Sequence, residues 1–236
     1  MTLNPKLDPS CVLCLPWGET PGGNTAYDQS QYGNNGTIYG AVRTNGKPRW
    51  ALSFDGNDYV EVPHNDVFNS ANVAVSAWFK RTGSFGMPWI PLVGKWPRNW
   101  ILYFKSDDRL YFIVKNPNCD EPYAVSTTIF GSSNSNIWYH VVGTYDGSNI
   151  KIYINGKLEG ITPYSVGIAM GDDPVTIGRD QTSVNFFTGL IGEVRIYTRA
   201  LTDKEIYELY VYGVQKLRQP KFPEYRRQLR RKLWGF

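Results

Sequence analysis

Short runs of alternating or wholly apolar residues, separated by turns rich in Gly, Asn, Asp and Pro, recur along most of the chain. In Ile150-Lys-Ile-Tyr-Ile154 every second residue is aliphatic, as a strand with one buried face requires. Asn155-Gly156 follows at once, and both residues tolerate positive φ, so the sequence predicts a tight hairpin into Lys157–Ile161. This rhythm is typical of an antiparallel β-sandwich. We predict further strands over Cys11–Leu15, Thr37–Val42, Ala51–Phe54, Tyr59–Val62, Val73–Lys80, Ile101–Lys105, Leu110–Lys115, Ala124–Phe130, Trp138–Tyr145, Val175–Ile177 and Leu190–Tyr197.

A change of spacing near residue 200 predicts one helix. Thr202-Asp-Lys-Glu205 has the pattern of a capping box, in which the Thr202 hydroxyl accepts from the Glu205 amide and the Glu205 side chain reaches back. Glycine commonly follows a helix, so we expect this one to end at Gly213 after about ten residues. Its apolar side chains form one stripe, made of Ile206, Leu209 and Tyr210.

Charge divides the chain at Gly213. Residues 214–236 carry eight Lys or Arg against one Glu, whereas residues 1–213 carry 17 Lys or Arg against 20 Asp or Glu. The net charges are therefore +7 for the tail and −3 for the remainder. An acidic body gives no support to nucleic-acid binding by the sandwich, although the tail could bind phosphates.

The basic tail has its own pattern. Tyr225, Leu229 and Leu233 recur at intervals of four residues after Pro223, which predicts a basic amphipathic helix. A lone helix of this length is marginal in water, so we expect it to dock on a partner, and an acidic neighbouring copy of this chain is a suitable acceptor. The expected docking residues are Tyr225, Arg226, Arg227, Leu229, Arg230, Arg231, Leu233, Trp234 and Phe236.

The composition, 42% hydrophobic and 15% aromatic, is that of a globular chain. Cys11, Cys14 and Cys119 cannot form a complete disulfide framework, and neither a second Cys pair nor a His pair follows at zinc-ligand spacing. The first residues lack the charged-then-apolar pattern of a cleaved secretory signal. No apolar stretch approaches membrane-spanning length, so we expect no membrane span.

Several segments, taken in order, carry a resemblance: Asp28-x-Ser30, Gly33–Thr37, Ala51–Val60, Val75–Phe79, Trp138–Gly147, Ile152–Gly156, Leu190–Tyr197 and Ala200–Tyr207. Together the chain resembles the laminin-G-like jelly-roll family, relatives of legume lectins and pentraxins. The resemblance implies an all-β, two-sheet antiparallel jelly-roll sandwich of the concanavalin A-like kind. We therefore expect a sandwich with one short C-terminal helix over residues 1–213 and a basic amphipathic tail over residues 214–236.

The resemblance also implies one structural Ca²⁺ where the opening loop meets the last strand. The matching acids are Asp28 and Glu193, and backbone carbonyls around Asn34 could complete an oxygen shell. Gly192 stands where the family commonly has an acidic residue. The alternative is that Asp28 forms a turn and Glu193 is a solvated edge residue.

A segment rich in Trp, Pro and Gly, Ser84–Trp100, is the candidate glycan-binding site. Aromatic rings with nearby cations suit the stacking and hydrogen bonding of sugars. The alternative is that the rings cap the edge of the sandwich or pack against a neighbouring subunit. The candidate residues are Trp89, Lys95, Trp96, Arg98 and Trp100.

Catalytic patterns are absent from the sequence. Glycan hydrolysis needs two carboxylates at a set separation, and in Glu61-Val-Pro-His-Asn-Asp66 the alternation breaks at Pro63. His140 lies inside a predicted core strand, where a structural histidine is expected rather than a base. We therefore expect no enzymatic activity.

Three functions agree with these patterns. The first is a structural or adhesive subunit of a larger assembly, at a virion or cell surface, whose tail docks on a neighbouring subunit. The second is a free carbohydrate-binding module that uses the Trp-rich segment. The third is a protein anchored to nucleic acid through the basic tail.

Overall fold

A computed structural model of the chain describes residues 4–18, 23–182 and 185–215. The docking residues predicted between Tyr225 and Phe236 lie outside these ranges, so their role stays a prediction. The described strands are β1 (Cys11–Leu15), β2 (Thr25–Ala26), β3 (Gly36–Tyr39), β4 (Val42–Asn45), β5 (Trp50–Asp55), β6 (Tyr59–Val62), β7 (Val73–Arg81), β8 (Ile90–Lys95), β9 (Trp100–Phe104), β10 (Arg109–Val114), β11 (Tyr123–Ile129), β12 (Tyr139–Tyr145), β13 (Asn149–Ile154), β14 (Lys157–Pro163), β15 (Val175–Ile177) and β16 (Thr188–Tyr197). One α-helix, α1 (Asp203–Gln215), follows them.

Two antiparallel sheets form the predicted jelly-roll sandwich. The first sheet has the strand order β14-β13-β12-β7-β16-β5-β4, with β1 also paired to β16. The second has the order β11-β10-β9-β8-β15-β6-β3-β2. Strands distant in sequence are neighbours, as in β16 beside β7, so the sheets are held together by long-range pairing.

The main core lies between the sheets. Phe79 of the first sheet meets Phe104 of the second with ring centroids 5.5 Å apart. In β9, Trp100 and Phe104 belong to this core, whereas Tyr103 belongs to a separate cluster on the outer face of the second sheet. Strand alternation therefore gives the second sheet an apolar inner face and an aromatic outer face.

The hairpin between β13 and β14 confirms its prediction. Asn155 and Gly156 have φ values of 51° and 78°, as a two-residue primed turn requires. The predicted single strand from Thr37 to Val42 is wrong. Gly40 adopts a φ of 80° and turns the chain from β3 in the second sheet to β4 in the first.

Strand β8 was not predicted because Pro91 and Gly94 suggest a loop. Pro91 is compatible with the strand because β15 pairs only with Val93 and Gly94. The proline therefore lies beyond the end of β15, and the register with β9 is irregular between Pro91 and Val93, where a missing N–H is tolerated.

The capping box of helix α1 is present as predicted. The Thr202 amide donates to Glu205 Oε2 at 2.8 Å, and the Glu205 amide donates to Thr202 Oγ1 at 3.3 Å. The expected end at Gly213 is wrong, since the helix extends to Gln215. A side chain at Gly213 would overlap the Trp78 ring, so this glycine permits close packing of the helix rather than ending it.

Helix α1 covers the outer face of the first sheet. Its buried Ile206 and Leu209 pack with Tyr153 and Tyr197 in a second apolar cluster. The Tyr153 hydroxyl donates to Asp203 Oδ1 at 2.7 Å and ties strand β13 to the first turn of the helix. In the part of the chain that the structure describes, no helix is long and apolar enough to cross a membrane.

Candidate functional site

Three tyrosines project from the outer face of the second sheet. Tyr103 of β9 and Tyr111 of β10 are directly paired across the two strands. Tyr123, the first residue of β11, pairs with the outward-facing Ile113. Because paired residues of an antiparallel ladder point to the same face, the three rings form one surface.

Trp89 extends this surface to four rings. It precedes β8 directly and has a left-handed backbone with φ of 58°, which is uncommon for a large side chain. Its indole stacks on Tyr103 with centroids 4.5 Å apart and an interplanar angle of 9°. The contacts continue from Tyr103 to Tyr111 at 5.7 Å and from Tyr111 to Tyr123 at 5.2 Å. We call these four residues, Trp89, Tyr103, Tyr111 and Tyr123, the aromatic row.

A lysine lies over the aromatic row. Lys105 Nζ is 4.4 Å from the Tyr111 ring centroid and 5.0 Å from that of Tyr123. It is 5.8 Å from both the Trp89 and Tyr103 centroids. These distances are within the range of cation–π attraction, and the half-buried lysine stem packs along the rings.

Exposure differs along the aromatic row. Trp89 is 37% exposed and Tyr123 is 43% exposed, whereas Tyr103 is fully buried. The Tyr111 hydroxyl donates to Asp107 Oδ2 at 2.9 Å, and burial together with this hydrogen bond raises the pKa of Tyr111 to about 12. The row is therefore exposed at its two ends, and the Tyr111 phenol is uncharged at neutral pH.

The five glycan-binding residues predicted from the Trp-rich segment do not form one surface. Trp89 belongs to the aromatic row, but Trp100 lies in the core between the sheets. Trp96 is buried on the outer face, with Lys115 Nζ 5.0 Å from its ring centroid. Trp100 faces away from the other two rings because it and the outward-facing Tyr103 are three positions apart in β9 and therefore lie on opposite faces of that strand.

The two predicted cations also separate. Lys95 is fully buried and donates to Asn99 Oδ1 at 3.1 Å and to the Gly171 carbonyl. Arg98 has a side chain that is 59% exposed, with Nε 3.9 Å from Asp173 Oδ2. Lys95 therefore holds a loop in place, and a glycan-binding role for it is not supported by its position.

The rest of the aromatic row was missed by the sequence analysis. Tyr103 and Lys105 lie two positions apart in a predicted strand, and Tyr111 lies in the next one. Tyr and Lys at alternate positions of neighbouring strands were the signal that could have indicated this surface. The signal was ambiguous, because either face of each strand could have been the buried one.

The Asp28 carboxylate organises the opening loop through hydrogen bonds. Oδ1 accepts from the amides of Cys14 and Ser30, both at 2.8 Å. Oδ2 accepts from the Ser30 hydroxyl at 2.5 Å and the Asn34 amide at 2.8 Å. Both oxygens are thus fully engaged by donors of the protein.

The Asn34 side chain links two other segments to this loop. Its Nδ2 donates to the Val12 carbonyl at 2.8 Å, and its Oδ1 accepts from Asn65 Nδ2 at 2.9 Å. Neither polar atom is directed to an open cation site, so the Asn34 side chain has a structural role in the loop.

Glu193 is not a solvated edge residue. It is 8% exposed, and its Oε1 accepts from Arg195 Nε and Nη2, both at 2.7 Å. An acidic side chain at Gly192 would overlap the Lys47 carbonyl oxygen, which explains the glycine there. Among the described residues, no group of three or more His, Cys, Asp or Glu is arranged to hold a metal ion.

The contacts of Asp28 and Glu193 do not fit a calcium ion held between them. The Asp28 oxygens already accept hydrogen bonds, and a guanidinium already neutralises Glu193. A calcium site needs six to eight available oxygens. Calcium binding stays a prediction, which melting curves with and without a chelator can test.

The polar groups beneath helix α1 are buried rather than reactive. His140 Nε2 is 2.8 Å from the Ser76 hydroxyl, and burial lowers the pKa of His140 to about 3. Burial also raises the pKa of the Cys11 thiol to about 12. Both groups are therefore uncharged at neutral pH and are shielded from substrates.

The two packed antiparallel sheets place this protein in the class of jelly-roll β-sandwich domains. Residues 54–207 match the model of the concanavalin A-like lectin/glucanases superfamily. The match covers well over half of the chain, and the chain belongs to this family. The matched segment includes the entire aromatic row and Lys105.

Solved structures of similar fold include two toxin binding domains and one domain of an arabinanase. The binding domain of Paraclostridial Mosquitocidal Protein 1 is 20% identical, with a TM-score of 0.68 over 85% of this chain and 52% of that one. The receptor binding domain of a botulinum neurotoxin C/D mosaic serotype is 20% identical, with a TM-score of 0.69 over 86% of this chain and 51% of that one. Domain 4 of AbnA, an extracellular arabinanase from Geobacillus stearothermophilus, was solved with arabinotriose. It is 19% identical, with a TM-score of 0.62 over 85% of this chain and 98% of that one.

At these identities the likeness establishes the fold alone. The chain spans about half the length of the two toxin domains and nearly all of the arabinanase domain. The same sandwich thus occurs both as one part of a larger receptor-binding unit and as a separate sugar-bound domain.

Proposed function

We propose that this chain is a non-catalytic carbohydrate-binding domain and that the aromatic row with Lys105 is its binding surface. The observation that carries the proposal is the exposed Trp89 ring, held parallel to Tyr103, with the open Tyr123 ring at the other end of the row. This replaces the Trp-rich segment as the candidate platform, and it retains Trp89 from that prediction.

The chemistry of the aromatic row suits a sugar. A pyranose or furanose ring presents an apolar C–H face that can stack on an aromatic ring, while its hydroxyls need hydrogen-bond partners at the rim. Trp89 and Tyr123 supply ring faces, and Lys105, Asp107 and the Tyr111 hydroxyl supply polar groups. The sugar-bound arabinanase domain supports the proposal at the level of the fold.

The test is binding of the full chain to a glycan array, followed by calorimetry on the ligands found. Trp89→Ala and Tyr123→Ala should each weaken binding about tenfold or more, because each removes a stacking face worth about 1.4 kcal/mol. Tyr207→Ala is the matched control, since Tyr207 is 56% exposed on helix α1 at the opposite face. Binding that survives both row variants, with melting temperatures unchanged, would exclude this surface.

The comparisons favour carbohydrate binding over an assembly subunit. The named neighbours include a receptor binding domain and a domain solved with arabinotriose. The assembly and nucleic-acid hypotheses depend on tail residues outside the described ranges, so both stay predictions. Light scattering of the full chain measures self-assembly. Binding of the full chain to an oligonucleotide at low and high salt tests nucleic-acid anchoring, because phosphate binding weakens steeply with salt.

A further inference from the structure

We infer that Lys105 makes this surface selective for glycans that carry a carboxylate, an inference that rests on the proposed function. The observation is an ammonium group placed over four aromatic rings without an acidic partner. Among the described residues, none forms an ion pair or a hydrogen bond with the Lys105 ammonium.

The nearby acids are already engaged. Lys115 Nζ lies 3.3 Å from Glu121 Oε1, so that cation and that carboxylate neutralise one another. Asp107 accepts from the Tyr111 hydroxyl at 2.9 Å and from the Arg109 amide at 3.1 Å. Both donors to Asp107 are neutral, so this carboxylate keeps its negative charge, but it forms no ion pair with Lys105, whose ammonium faces the rings and solvent.

This environment favours an anionic group on the ligand. Ring faces attract the ammonium but accept no strong hydrogen bonds from it, so its donors remain available to an incoming oxygen. A carboxylate would form an ion pair with the ammonium as well as accepting its hydrogen bonds, whereas a neutral hydroxyl would only accept a hydrogen bond. A cationic sugar would instead meet like charge.

The position of Lys105 suits recognition of a substituent on a stacked sugar. Its ammonium lies between the two exposed ends of the aromatic row, at 5.8 Å from the Trp89 centroid and 5.0 Å from the Tyr123 centroid. A sugar stacked on either ring would hold an acidic group at its edge within reach of Nζ. Trp89 or Tyr123 therefore stacks on the sugar ring, and Lys105 binds its acidic substituent.

The experiment compares matched glycan pairs that differ only in the acidic group. Suitable probes are sialyllactose against lactose, and a glucuronate-terminated disaccharide against its glucose-terminated counterpart. The unmodified chain should bind the acidic member about tenfold more tightly, the effect of one charge-assisted hydrogen bond. Lys105→Met, which keeps the apolar stem, should reduce the ratio to about one.

Two further variants sharpen the comparison. Lys105→Arg should retain the acidic preference because it keeps the charge, and Lys115→Met should retain it because Lys115 is already paired with Glu121. On the unmodified chain, raising salt from about 50 mM to about 500 mM should reduce the preference through screening. This last measurement needs no variant to fold.

The outcomes separate the inference from the proposed function. If Trp89→Ala and Tyr123→Ala weaken both members of a pair but the unmodified chain binds them equally, Lys105 does not select charge and only the inference is wrong. A preference that persists in Lys105→Met overturns it as well. If neither row variant affects binding, the proposed surface itself is wrong.

Discussion

His140 couples stability to pH through its burial. Burial lowers its pKa to about 3, whereas the unfolded chain has the ordinary value of about 6.5. The unfolded state therefore takes up the proton first as pH falls. Stability is unaffected by this group above about pH 7 and is lost between about pH 6.5 and 3, by up to about 1.4 kcal/mol per pH unit.

Urea unfolding at several pH values between about 4.5 and 6.5 measures this effect. In His140→Gln, which can still bond to Ser76, the free energy of unfolding should fall less steeply with decreasing pH. His64→Gln is the control, since the His64 side chain is 22% exposed beside Asp66. Equal slopes in the unmodified chain and His140→Gln would show that His140 is not the group that titrates.

Whether a single side chain faces the core or the outer face of its sheet was the feature least predictable from the sequence. Trp89, Trp96 and Trp100 lie within twelve residues of one another, yet they are respectively in the aromatic row, in the outer cluster and in the core. The sequence alone identifies the Trp-rich segment, but it does not show which way each ring points. Only the register of β8 and β9, with its irregularity after Pro91, determines which ring faces which side.

Helix α1 begins at an ion pair that is also a cap. The Glu205 carboxylate accepts from Arg199 Nη2 at 2.7 Å and from the Thr202 amide at 2.8 Å, and these hydrogen bonds lower the pKa of Glu205 to about 2. Since its pKa is depressed, Glu205 stabilises the fold above about pH 4.5 and this contribution is lost as pH falls towards 2.

Glu205→Gln should therefore lower the free energy of unfolding by about 1 kcal/mol at neutral pH, the usual value of a cap with a partly exposed ion pair. The difference from the unmodified chain should shrink below about pH 4. Glu208→Gln, on the same helix, is the matched control and should change little. Equal losses in the two variants would mean that the capping contacts are not what stabilises the helix.

Local chemistry was sufficient to predict a turn or a helix start wherever one short signal determines the backbone. Asn155-Gly156 predicted its hairpin, and Thr202 with Glu205 predicted the helix start. Prediction failed where distant partners determine the outcome. Pro91 lies in a strand because β15 ends before reaching it, and Gly213 stays helical because Trp78 packs against it.

Over the whole molecule, the two outer faces of the sandwich have different roles. Helix α1 closes the outer face of the first sheet, with Gly213 against Trp78 and Tyr153 bonded to Asp203. The outer face of the second sheet has no helix over it among the described residues and carries the aromatic row. The fold thus separates a stabilising face from the proposed binding face.

This separation predicts that stability and glycan binding can be changed independently. Glu205 and Trp89 lie on opposite outer faces of two sheets whose mean planes are about 10 Å apart, and they share no hydrogen bond or ring contact. Substitutions at distant sites without common partners add within about 0.5 kcal/mol. Glu205→Gln should therefore lower stability and leave glycan affinity unchanged, whereas Trp89→Ala should weaken binding about tenfold.

The double variant should show the sum of the two losses in unfolding free energy and the same affinity as Trp89→Ala alone. Urea unfolding and calorimetry on the four proteins measure both quantities. A binding loss in Glu205→Gln, or a coupling well above 0.5 kcal/mol, would mean that the sandwich transmits changes between its faces and that the helix is part of the binding mechanism.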